Sequence, residues 1–195
     1  MSTPVTNATT RSAFQARPLS AIPELAAKAV EFLQVCSPHF KLTPDEAACI
    51  VSLMRIVAYP PGATVFRAGE DAHTGYMLLV LEGDISVDIG TFGDDAKVDI
   101  SLLGPGALIG ELSLIDGAPR SANCTAVTAL TTGGFAMGAL QHLAEQNPQV
   151  ATKLALFIAK SAADRLRALS EQLQMIDQIN ARLHQEITRL KSAAS

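Results

Sequence analysis

No run of about 18 uninterrupted apolar residues occurs in this 195-residue chain, and that excludes a membrane-spanning helix. The opening stretch MSTPVTNATTRSAFQARPLS has no continuous apolar core, so it does not read as a secretory signal. Cysteine is sparse: Cys36, Cys49 and Cys124 are odd in number, widely spaced and without a CxxC pair. That pattern argues against a disulfide framework and a zinc site; buried thiols in a reducing cytoplasm are expected. Histidine is no better placed. His39, His73, His142 and His184 are scattered, with no Ser/Cys–His pairing and no metal-ligand spacing, so neither an enzyme nor a resident metal or cofactor is expected.

Positive charge is scarcest in the middle of the chain. Residues 42–140 hold 12 Asp and Glu against 4 Lys and Arg, a net of −8, whereas residues 141–195 hold 5 acidic and 7 basic residues, a net of +2. A body this acidic repels a phosphate backbone, so no nucleic-acid partner is expected. With 48% hydrophobic and only 17% charged residues, the chain is globular rather than disordered.

What is present divides the chain into four stretches. Residues 1–20, rich in Ser, Thr, Pro and Ala, are expected to be a flexible tail. Residues 21–41 form an N-terminal helical segment: Pro23 opens ELAAKAVEFLQVC, with Leu25, Ala29, Phe32, Leu33 and Cys36 on one stripe, which either packs on the body or docks a target. Residues 42–140 begin with a helix after Thr43-Pro44-Asp45-Glu46, a capping threonine followed by proline at the first helical position. From Val57 short apolar runs alternate with Gly62, Gly69, Gly83, Gly90, Gly93 and Gly104-Pro105-Gly106, the texture of an antiparallel β-barrel or jelly roll. Asp94-Asp95 in TFGDDAK reads as a solvated turn, with cation ligation as the alternative. The fold class expected is therefore mainly β with flanking helices.

Residues 141–195 complete the chain with a short hinge helix, ended by Asn147-Pro148, and a very long one. There Leu166, Leu169, Leu173, Ile176, Asn180, Leu183, Ile187 and Leu190 alternate spacings of three and four. This is an a/d heptad with Leu166, Leu173, Asn180 and Ile187 at a. A lone a-position Asn is how two-stranded parallel coils fix register, so a homodimer joined by this coiled-coil helix is expected. Packing of the helix on its own barrel is the alternative.

The stretch GELSLIDGAPRSA carries the chemistry. Gly110 lets the chain turn tightly out of a strand, and Glu111 to Ile115 then form a short helix whose N–H groups favour an anion. Arg120 is one of only 4 basic residues in the barrel, and its planar fork suits a phosphate. Ionised Glu111 can only accept hydrogen bonds, which suits a sugar hydroxyl. The set asks for one phosphate charge with a free hydroxyl beside it. A loop-closing salt bridge between Glu111 and Arg120 is the alternative.

This stretch resembles the phosphate-binding cassette of the cyclic-nucleotide-binding family, the type found in the catabolite activator protein and in protein kinase A regulatory subunits. The resemblance extends to Pro60-Pro61-Gly62, Gly69-Glu70, Leu81-Glu82-Gly83 and the long helix. It implies a receptor in which Glu111 takes the ribose 2′-hydroxyl and Arg120 the cyclic phosphate. Gly110, Leu112, Ser113, Ser121 and Ala122 line the pocket, and Ser170, at an e position, meets the base. Ser121 after the arginine leaves both bases open, and cAMP is expected over cGMP. Ala107 and Ile109 depart from the family's acidic and aromatic preferences. Only five residues follow Leu190, too few for the catabolite activator's DNA-binding domain, so an unidentified effector protein is expected to read the state of the nucleotide. Two other readings remain: a dimeric scaffold on a degenerate barrel, and a cyclic di-GMP sensor using Arg67 as a second arginine.

Overall fold

Between Tyr76 and Leu81 the run YMLLVL has no polar residue, so it cannot face water on either side. In the computed structural model, which describes residues 17–35, 41–88 and 100–193, this run is the strand β3 (Tyr76–Glu82). Its side chains alternate between two cores. Met77, Leu79 and Leu81 join a cluster shared with the helices, while Tyr76, Leu78 and Val80 join a second cluster with Val57, Phe66, Ile109 and Cys124.

The other strands are β1 (Arg55–Tyr59), β2 (Thr64–Phe66), β4 (Ile85–Asp88), β5 (Ile100–Leu103), β6 (Leu108–Ile109), β7 (Asn123–Ala126) and β8 (Leu130–Ala136). They form two four-stranded sheets, in the orders β1-β8-β3-β6 and β2-β7-β4-β5, and every pairing is antiparallel. This is the expected antiparallel β-roll with flanking helices. Asp94 and Asp95 lie outside the described residues.

Five α-helices accompany the strands among the described residues, after a 3-10 turn at Leu19–Ala21: α1 (Pro23–Gln34), α2 (Pro44–Ser52), α3 (Glu111–Asp116), α4 (Met137–Gln146) and α5 (Pro148–Ala193). On α1, Ala29 and Leu33 are fully buried and Leu25 and Phe32 pack beside them, so its apolar stripe packs on the body; Cys36 lies outside the described residues. Residues 17–20, expected in the tail, need correction. Leu19 is buried and its N–H donates to Met54 O at 3.0 Å, while Ile56 N–H donates to Arg17 O at 3.0 Å, so hydrogen bonds and apolar burial hold this stretch against β1. Cys49 and Cys124 form no disulfide. Among the described residues no helix is long and apolar enough to cross a membrane.

The described residues separate into two units, one ending at Ile158 and the other starting at Ala159. The division falls inside α5 rather than at residue 141, because Val150, Ala151, Leu154 and Ile158 belong to the helix-side core of the first unit. The second unit is a continuous helix. Its heptad residues Leu166, Leu169, Leu173, Ile176, Leu183, Ile187 and Leu190 are 41–67% exposed.

Thr43 and Glu46 form a capping box on α2: Thr43 N–H donates to Glu46 Oε2 at 2.8 Å and Glu46 N–H to Thr43 Oγ1 at 3.2 Å. Lys153 of α5 donates to both Glu46 oxygens, at 2.6 and 2.7 Å. The Lys153 bonds, then the Thr43 amide, hold the Glu46 carboxyl below its usual value, against the effect of desolvation. A carboxyl more acidic in the folded state stabilises it above the ordinary value of 4.5; the contribution fades as pH falls through the lowered value. Lys153→Met is therefore expected to lower the thermal midpoint near neutrality and to flatten its fall with acid. Thermal unfolding across roughly pH 3 to 6 checks this; an unchanged slope contradicts it.

Candidate functional site

The stretch GELSLIDGAPRSA folds back on itself. Gly110 leaves β6 at φ 74°, in the left-handed region, and this lets α3 start at Glu111 with a sharp change of direction. Gly117 ends α3 in the same region, at φ 69°. Ser113, buried, donates its hydroxyl to Pro119 O at 3.5 Å, and Ala118 N–H donates to Asp116 Oδ1 at 2.9 Å. Leu114 anchors α3 in the helix-side core. Leu112, by contrast, is exposed.

Glu111 and Arg120 are both buried, at 1% and 3% exposure. For charged residues this is uncommon unless they are paired or have work to do. The Arg120 guanidinium lies in a socket of carbonyls and rings. Nη1 donates to Gly110 O at 2.9 Å; Nη2 donates to His73 O at 2.8 Å and to Tyr76 O at 3.0 Å. Its central carbon sits 3.9 Å from the Phe66 ring centroid and 4.7 Å from that of Tyr76. Carbonyl dipoles orient a cation without cancelling its charge. The guanidinium donates hydrogen bonds to these three carbonyls, and the Glu70 charge lies near it. Burial pulls the guanidinium below its ordinary value, opposed by Tyr76 and Glu70 nearby. It remains a cation at neutral pH.

The backbone locks the same place. Gly69 N–H donates to Arg120 O at 2.8 Å, and Arg120 N–H donates to Glu70 O at 2.9 Å. Further along that loop His73 adopts φ 64°, and it is the only non-glycine with positive φ among the described residues. Such a backbone state costs about 1–3 kcal/mol and persists where the surroundings impose it. Here it accompanies the carbonyl that receives Nη2. Burial pushes the Tyr76 phenol up, with the Arg120 cation opposing.

Of the residues picked from the sequence, the structure brings Gly110, Ser113 and Arg120 into one bonded unit, with Glu111 buried at the start of α3. Ser121 is exposed and Ala122 half-buried beyond Arg120. Ser170 belongs to the second unit, where its exposed side chain donates to Leu166 O at 2.9 Å. Ile109 is in the barrel core and Ala107 packs against it. Arg67 is exposed. Sequence reasoning missed Phe66, His73 and Tyr76. Among the described residues no group of three or more His, Cys, Asp and Glu is placed to hold a metal.

Comparison with known proteins gives the arrangement its relatives. Residues 56–147 match the model of the cyclic nucleotide-binding domain. A cyclic nucleotide-gated potassium channel of Mesorhizobium japonicum is 35% identical over 111 residues, covering 57% of this chain and 28% of the channel. The cyclic AMP receptor protein of Thermus thermophilus is 33% identical over 149 residues, covering 75% of this chain and 65% of the receptor. The chain thus spans less than two thirds of either relative. A solved cyclic nucleotide-binding domain from Methylobacillus flagellatus superposes with a TM-score of 0.70 at 24% identity, over 76% of this chain and 82% of that one, and supports the fold. Residues 56–147 thus match the cyclic nucleotide-binding domain family, and the β-roll in which they lie has the fold of a solved domain of that name.

Proposed function

We propose that this domain is a receptor for a cyclic mononucleotide, cAMP in preference to cGMP, with Arg120 on the cyclic phosphate and Glu111 on the ribose 2′-hydroxyl. The observation that carries the reading is the Arg120 cation, withdrawn from water and oriented by three carbonyls and two rings. An arriving phosphate pairs with that cation, and a desolvated charge pair of this kind dominates affinity. The backbone of Gly110, Leu112 and Ser121 lines the site, with Ser113 and Ala122 behind it. One relative is named for cyclic AMP, which supports the choice of base. A cyclic dinucleotide needs a second arginine beside the first, and Arg67 is turned to solvent. Calorimetric titration with cAMP, cGMP and cyclic di-GMP tests the reading. Saturable binding of cAMP, at least tenfold tighter than of the other two, is expected; absence of binding by both mononucleotides refutes it.

Output is proposed to run through a parallel homodimer and a protein partner. The support is the exposed a/d seam of the second unit, interrupted once by Asn180. A buried Asn pair costs stability and fixes register. Asn180→Leu is therefore expected to raise the thermal midpoint while admitting other oligomeric states. Sedimentation of the starting protein as a monomer at micromolar concentration contradicts the dimer. The body's net −8 over residues 42–140 favours a protein over DNA as the reader of the occupied state.

A further inference from the structure

We propose that Phe66 and Tyr76 are positioning residues for the nucleotide phosphate: their rings hold the Arg120 guanidinium in the orientation in which it meets the ligand. The inference rests on the reading of Arg120 as the phosphate contact. Neither ring lies in the cassette. Phe66 comes from β2 and Tyr76 from β3, in different sheets, and their centroids are 5.5 Å apart with planes tilted by 51°. Both are buried, and the Arg120 central carbon lies within 5 Å of each centroid, at 3.9 and 4.7 Å.

The chemistry of this placement is specific. An arginine side chain has four rotatable bonds and, without neighbours, its fork samples many directions. Ring faces attract a guanidinium most strongly where water is excluded, and a planar cation against a ring loses freedom out of its own plane. The carbonyls of Gly110, His73 and Tyr76 then fix it within that plane, at 2.8–3.0 Å. Rings and carbonyls together pre-organise the fork, so less order has to be imposed when the anion arrives. Aliphatic side chains of similar size would fill the space and leave the plane of the fork undetermined. Gly110 belongs to the same device, since a Cβ there would fall 2.9 Å from Phe66 ring carbons and 2.5 Å from Arg120 Nη1.

The test compares ring-lacking with ring-retaining variants of the whole chain. Phe66→Leu and Tyr76→Leu remove a ring; Tyr76→Phe removes only the hydroxyl. Calorimetry with cAMP measures affinity, and phosphorus NMR of cAMP at saturation reports the surroundings of the bound phosphate. Each ring-lacking variant is expected to lose about tenfold in affinity, about 1.4 kcal/mol, with the bound phosphorus resonance moved toward that of free cAMP. Tyr76→Phe keeps the ring and loses a hydroxyl that also bonds Arg120; it is expected to lose less affinity than Tyr76→Leu and to leave the resonance in place. Ring-lacking variants with unchanged affinity overturn the proposal. So does weaker binding with an unmoved resonance, which marks a loosened pocket rather than a misplaced arginine. If one ring-lacking variant fails to fold, the other and Tyr76→Phe decide by the same two measurements; if both fail, the rings are structural and the proposal falls. Failure of the starting protein to bind either cAMP or cGMP overturns the receptor reading, an outcome distinct from all of these.

Discussion

Arg120→Ala is expected to abolish measurable cyclic-nucleotide binding while leaving a folded protein. Truncating one partner of a desolvated charge pair costs about 2–5 kcal/mol, roughly 30- to 5000-fold in affinity. The range is wide because part of the cost is the charge left behind, which on this reading is the ligand's cyclic phosphate. Folding suffers less. The guanidinium belongs to the barrel end, whereas the larger apolar cluster with Leu33, Ile50, Leu79, Phe135 and Leu154 lies on the helix side of β3. Three carbonyls lose a donor, but water can enter the vacated volume and bond them. Arg120→Lys keeps the charge without the fork. An ammonium cannot serve the Gly110 carbonyl, the loop carbonyls and a phosphate in one plane, so an intermediate loss is expected. Calorimetry with cAMP, beside thermal unfolding of each variant, checks both. Near-normal affinity in Arg120→Ala would sink the assignment of the site.

The socket around Arg120 shows which parts of such a site a sequence displays. Gly110, Glu111 and Arg120 are legible because their residue types are tied to the chemistry: a positive φ, an acceptor-only acid, a planar cation. The groups that hold Arg120 carry no such mark. His73 and Tyr76 lie 47 and 44 residues away in the chain and contribute carbonyls, which every residue possesses. Only the fold decides which of them faces an arginine. Phe66 and Tyr76 also sit in runs, TVF and YMLLVLE, that read as ordinary barrel core, and core is what most of those side chains are. The two-sided burial of β3 is readable from its unbroken apolar run.

The limit of the first unit was less legible. Val150, Leu154 and Ile158 follow the same four-residue spacing that an amphipathic helix shows on any face. Nothing in that spacing distinguishes a stripe buried on its own barrel from one left exposed, and the change comes only after Ile158. The heptad itself was plain, because three- and four-residue steps maintained through residue 190 match one helical seam. The tail boundary was misjudged for a simpler reason. One leucine among polar residues gives no periodic signal, yet Leu19 is fully buried.

Gly110→Ala is expected to reduce both stability and binding, and the loss of binding separates the position from an ordinary turn glycine. At φ 74° an alanine is held in the left-handed region, at a cost of about 1–2 kcal/mol. Its Cβ would also lie 2.5 Å from Arg120 Nη1 and 2.9 Å from two ring carbons of Phe66, and overpacking of this kind costs a further ~1–3 kcal/mol. Together these lower the thermal midpoint by roughly 5–15 °C for a chain of this size. The backbone and the Phe66 ring are fixed by the sheets, whereas Nη1 is the end of a flexible side chain. The clash is therefore relieved mainly by expelling the guanidinium from its socket, and affinity for cAMP is expected to fall at least tenfold. Gly117→Ala supplies the comparison. Its φ is 69°, but a Cβ there meets nothing within 4 Å, so only the backbone cost of about 1–2 kcal/mol applies and binding should stay within about threefold. Thermal unfolding and calorimetry of the two variants side by side measure the contrast. Equal losses of affinity at both positions would mean that α3 as a whole, and not the place of Arg120, governs the ligand.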